Sequence, residues 1–250
     1  MLKRAFKSYA PLLLVSVGYM LFSSNIWLPQ PVIMPLPHHG LAEVTEMVAP
    51  AVLLLALSFL LYNRYEIELA LVCGVKTARL AFVKTIPILT YTFVAAGCMI
   101  LCHRSQPYSG GGKIHIPIYV PENYKLLMIV SICVSLLFFA ALFLFLRVLM
   151  RNCYIPMALG FGFWGGMSGI SYGIRQGQYS PTKCWMDPFI STYFIGDTIP
   201  NAMAEQYTDL TSLTNAWTYN RLMFFGLAVV LLVATWLLLR REKLHEGFGD

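Results

Sequence analysis

Charge is what this sequence has least of: Asp, Glu, Lys and Arg make up 12% of its 250 residues, and only 12 residues are acidic. A soluble domain spends about a quarter of its residues on charge. The 58% hydrophobic content here therefore excludes an ordinary water-soluble fold and points to a polytopic membrane protein. Six segments are long and apolar enough to span, at about 10–28, 47–62, 85–102, 126–146, 154–174 and 222–239. No Asp, Glu or His lies well inside any of them. A six-span membrane enzyme would need such groups facing a cavity at membrane depth.

Other absences exclude further chemistry. The six cysteines form no framework: Cys73, Cys98, Cys133 and Cys153 lie in or beside spans, where a free thiol behaves as a small hydrophobe. Cys102 and Cys184 both fall in external positions, and whether they pair stays open. Cys98, Cys102 and His103 spell C-x-x-x-C-H, one residue too long for a haem attachment site. The SGGGK of loop 103–125 has Pro107 and Ile114 where a phosphate-cradling loop needs Gly and Ser or Thr, so no nucleotide site is expected. Gly160, Gly162 and Gly165 spell G-x-G-x-x-G without the strand before it or the acid after it that dinucleotide binding requires. Gly166-Met167-Ser168-Gly169 matches the G-x-S-G of rhomboid proteases, but all five histidines, His38, His39, His103, His115 and His245, lie outside the spans and leave the serine no base. His38 and His39 with Glu43 and Glu46 have ligand chemistry for zinc, yet adjacent histidines in an extended strand point apart, and no metal site is expected. A cleaved signal peptide is not expected either, since no small-x-small site follows the first apolar run.

What charge there is sits at the ends of spans, which argues against nucleic acid as the partner of a chain with net charge +6. With the amino terminus inside, Lys3, Arg4, Lys7, Arg64, Lys76, Arg79, Lys84, Arg147, Arg151, Arg240, Arg241 and Lys243 are internal. Arg104, Lys113, Lys125, Arg175, Lys183 and Arg221 are external. Twelve basic residues against six predicts cytoplasmic termini and external loops at 29–46, 103–125 and 175–221. Residues 1–9 read as an interfacial lead-in, Trp217 to Arg221 as an interfacial anchor, and 126–146 as lipid-facing or bundle filler. Within 175–221, the apolar Pro188 to Ile195 is too short to cross and reads as re-entrant or interfacial, and Asn201 as the cap of a short helix through Thr211.

Two stretches stand out. In the fifth segment Gly162 and Gly166, Gly165 and Gly169, and Gly169 and Gly173 are each four apart, a nearly bare helix surface that admits another helix closely. The other is 64–84, the charged stretch between two apolar runs. Its Ile67, Leu71, Val75, Ala78 and Phe82 recur at spacings of three and four, so one face suits a headgroup layer or a partner's groove. Gly74 is placed to end one helix and begin another after a bend. The plain reading is a juxtamembrane loop whose basic residues fix orientation.

The stretch also resembles the cytoplasmic coupling loop of type-2 export permeases of the ATP-binding-cassette transporters. There an acidic helix leads to Gly or Pro, Val or Ile follows, and Lys comes ten residues after the bend. Glu66 or Glu68 matches the acidic position, and Gly74, Val75, Leu80 and Lys84 match the rest, although Gly74 with Lys76 replaces the commoner Pro and Ser. The resemblance implies an all-α permease with six spans, a coupling helix between spans two and three, and short external helices between spans five and six. It implies two separate ATPase subunits that carry ATP and Mg, a second permease chain, the same or related, and no catalytic, cofactor or metal residue in this chain. The substrate class would be a lipid, a glycan precursor, a peptide or a drug. The competing expectations are the membrane enzyme and an accessory or immunity membrane protein without transport of its own.

Overall fold

The computed structural model of the chain describes residues 2–26, 44–60, 72, 77–102, 124–150, 154–175, 189 and 210–241. Every extended element among them is helical: α1 (Leu2–Ile26), a π-helical turn (Val44–Val48) continuing into α2 (Ala49–Leu60), α3 (Thr77–Cys102), α4 (Tyr124–Met150), α5 (Tyr154–Arg175) and α6 (Leu210–Arg241). Among the described residues, three stretches are long and apolar enough to cross a membrane: Leu80–Leu101, Leu126–Met150 and Trp217–Leu239. Phe6–Gly18 and Glu46–Phe59 are shorter apolar stretches.

The bundle is built around α4, which packs against α2, α3, α5 and α6. Met128, Ile132, Leu136, Phe139 and Phe143, at spacings of three and four, are all fully buried, and so are Ser131 and Ser135 on a neighbouring line. Of the two roles open to this segment, filler of the bundle is the one it has. The aromatic rings lock the centre: Phe138 meets Phe224 of α6 edge-on at 4.9 Å between centroids, and Phe139 stacks on Phe189 at 6.1 Å. Phe189 comes from the stretch read as an external loop, yet it is completely buried beside the middle of α4.

Several helices run further than hydropathy alone marks. The third begins at Thr77, eight residues before the apolar run at 85, because Ala78, Arg79, Leu80 and Ala81 favour helix and no breaker intervenes. The sixth begins at Leu210, not at 222, so Thr211 belongs to it. The first is helical from Leu2 and has no separate lead-in; the Tyr91 hydroxyl donates to the Phe6 carbonyl at 2.6 Å, setting an early turn of α1 against the middle of α3. Pro156 is tolerated in the first turn of α5, where its missing N–H has no intrahelical partner to lose. Pro87 stands inside α3, and Thr85, Thr90 and Thr92 each donate back to the carbonyl four residues earlier.

Pro50, just after the π turn, lacks the N–H that an α-helix would offer to the Glu46 carbonyl. The Met47 carbonyl accepts a hydrogen bond from outside its own helix.

A buried ion-pair cluster as the candidate functional site

Near the start of the long apolar part of α6, Asn220 and Arg221 are 1% and 4% exposed. They are not an interfacial anchor, as their place at the edge of the span suggests, because the helix turns both toward α4. Arg221 Nη1 donates to Ser131 Oγ at 3.1 Å, to Ser131 O at 3.2 Å and to Ser135 Oγ at 3.0 Å. The two serines stand one helical turn apart on α4, so their hydroxyls fall on one face, where a single planar guanidinium reaches both. Arg221 Nε donates to Asn220 Oδ1 at 2.9 Å, and Nη2 donates to the same oxygen. The Arg221 carbon Cζ lies 5.8 Å from the centroid of the Phe224 ring, within cation-π range.

The counter-charge is Glu46, whose Oε1 is 4.0 Å from Arg221 Nη1. Glu46 is fully buried in the π turn, although its place at the end of a proline-rich stretch suggests an exposed loop. The turn is tied to α5 as well, since Trp164 Nε1 donates to the Met47 carbonyl at 2.7 Å. One cluster thus joins the π turn and α2, α4, α5 and α6.

Arg221 stands four residues inside the apolar stretch Trp217–Leu239, and Ser131 and Ser135 five and nine residues inside Leu126–Met150. At 1.5 Å per residue that is about 6–13 Å from the ends of those stretches. Taking a carboxylate and a guanidinium out of water costs several kcal/mol per ion, which mutual attraction and added hydrogen bonds must offset. Such a pair adds little net stability over apolar residues of the same shape.

The residues expected to couple to a partner are only partly in view. Glu66, Glu68, Gly74 and Val75 lie outside the described residues, as do His38, His39, Cys184 and Asn201. Leu80 and Lys84 fall in the first turns of α3 itself, continuous with the apolar stretch and not in a separate helix. Leu80 is partly covered and Lys84 is buried, as is Arg147 near the end of α4. Gly162, Gly165, Gly166, Gly169 and Gly173 are all in α5. A Cβ built on any of the first four would meet nothing within 4 Å among the described residues. Contact inside the chain is made at Gly160, where a Cβ would stand 3.3 Å from Leu54 Cδ2. Ser168 of the G-x-S-G stretch donates to the Trp164 carbonyl at 2.8 Å, a helix back-bond.

Motif spacing does not bring Glu46, Ser131, Ser135, Asn220 and Arg221 together. A weaker signal existed: two serines four apart in an otherwise apolar run, facing an Asn-Arg pair at the edge of another. Comparison with protein-family models, with curated proteins and with solved structures gives no match.

Proposed function

We propose that this chain is the transmembrane permease subunit of an ATP-driven export complex in the cell membrane. It works with two separate ATPase subunits and a second permease chain, the same or related, and translocates or extracts an amphiphilic substrate of the lipid, peptide or drug class. In this reading all six helices span the membrane and both termini are cytoplasmic. ATP and Mg are held by the partner ATPase.

The observation that carries the reading is the charged stretch 64–84, with Gly74 placed in the sequence to divide it. Residues 77–84 open α3, and the part before them lies in the chain between α2 and α3, two helices that pack against each other. Glu66 and Glu68 bond to donors on the ATPase, Val75 and Leu80 fill an apolar groove, and Lys84 anchors the return into α3. Coupling requires the connector to bind two ATPase states with different free energies, because a contact equal in both shifts nothing.

Affinity purification of the full chain in mild detergent, with identification of co-purifying chains, is the first test; a reproducible ATPase partner is expected. Reversing Glu66 and Glu68 together to Lys weakens that association or uncouples hydrolysis from transport while insertion stays intact. Normal coupled transport in the double variant removes the assignment. The second reading, a membrane enzyme, draws on Glu46 and Arg221 as charged groups inside the bundle. Here the guanidinium is occupied by Ser131, Ser135 and Asn220, an arrangement suited to holding helices in register.

A further inference from the structure

We propose that the π turn Val44–Val48 is a two-state switch that makes and breaks the Glu46–Arg221 pair, with Trp164 of α5 sensing its state. The inference stands apart from the transport reading, since it concerns the bundle itself. A π turn holds one residue more than an α turn spanning the same rise, and single π turns recur at functional sites. Expelling that residue changes the register by one position, a rotation of about 100° at 3.6 residues per turn. There is no continuous path of small adjustments between the two ladders.

In the π form Glu46 is fully buried with Oε1 4.0 Å from Arg221 Nη1, and the Met47 carbonyl accepts from Trp164 Nε1 at 2.7 Å. In the α form the rotation carries Glu46 away from Arg221 and re-aims the Met47 carbonyl away from Trp164. Arg221 keeps Ser131, Ser135 and Asn220 in either form, so its charge remains solvated by the protein while the carboxylate moves. That asymmetry is what allows the pair to open without stranding a buried cation. Pro50 biases the turn toward the π form by withholding an N–H from the Glu46 carbonyl. Trp164 lies between Gly162 and Gly165, where a Cβ would meet nothing within 4 Å among the described residues, so a displacement of α5 acts on the Met47 carbonyl through the indole.

The test is carboxyl footprinting of the full chain in lipid nanodiscs with a water-soluble carbodiimide and an amine, read residue by residue by mass spectrometry. Pro50→Ala supplies the missing donor, and Trp164→Phe removes the indole donor while keeping a ring. Each is expected to raise modification of Glu46 about tenfold by repopulating a minor state, with the other carboxylates unchanged and the melting temperature of Pro50→Ala held or raised. Glu46 protected as in the parent chain in both variants means a fixed structural pair and overturns the proposal. So does a rise shared by all carboxylates together with a lowered melting temperature, which is general loosening. If one variant does not fold, the other carries the same test, because each acts on the turn from a different side.

Discussion

At the residue scale the central group is the Arg221 guanidinium, which holds the oxygens of Ser131, Ser135 and Asn220 at once. Only a planar fork reaches all of them. Arg221→Gln removes the cation opposite a fully buried Glu46 and is expected to cost about 3–5 kcal/mol, measured by unfolding the purified chain in mixed micelles. Arg221→Lys keeps the charge but not the fork, so its loss is smaller and falls on the hydrogen bonds. Adding Glu46→Gln to Arg221→Gln should recover part of the loss, because the double variant no longer buries a carboxylate deprived of the Arg221 cation. A double variant as unstable as the sum of the two singles would show that the two groups do not sense each other. Ser135→Ala, which deletes one acceptor of several, is expected to cost about 1 kcal/mol.

At the scale of the element, α5 has two kinds of glycine. Gly160 is a contact, with a hypothetical Cβ at 3.3 Å from Leu54 Cδ2 and 4.0 Å from Phe143 Cδ2. Gly166 meets nothing within 4 Å. Gly160→Leu therefore drives a side chain into α2 and α4 and should destabilise the isolated chain by about 1–3 kcal/mol. Gly166→Leu should leave the isolated chain's stability unchanged within about 0.5 kcal/mol and, on the two-permease reading, reduce recovery of the second chain. Melting curves set beside cross-linked dimer yield separate the two outcomes. Unaltered assembly and transport in Gly166→Leu would mean that this face meets lipid.

At the scale of the whole molecule, the bundle is held more by shape and polar ties than by a drive to leave water. Helices already in lipid gain little from the hydrophobic effect and associate through close packing and interhelical hydrogen bonds. The ring contacts of Phe138, Phe139, Phe163, Phe189 and Phe224 and the ties from Tyr91, Trp164 and Arg221 are of that kind. The proposed orientation gives a direct expectation: in a cysteine-free background, a single Cys replacing Lys76 is labelled by an impermeant maleimide only after the membrane is opened. Labelling from outside intact cells would invert the map and remove 64–84 from the side where an ATPase works.

The sequence by itself determined that the chain is rich in apolar helix, and it located the six helices of the described residues, because each run's hydropathy is a local property that needs no partner. It did not determine where the helices end. Leu210 to Ala216 and Thr77 to Arg79 carry polar groups that hydropathy rejects, while the helix continues through them. Nor could it separate a cation that reaches water from one that turns inward. Arg221 and Glu46 are 175 positions apart in the chain, and Arg221 is 90 and 86 positions from Ser131 and Ser135. Their pairing depends on the rotation of α4 and α6 about their axes and on one extra residue in the turn before α2. Charge near the end of an apolar run is read as surface when counted along the chain, and only packing in three dimensions decides which side of the helix faces the bundle.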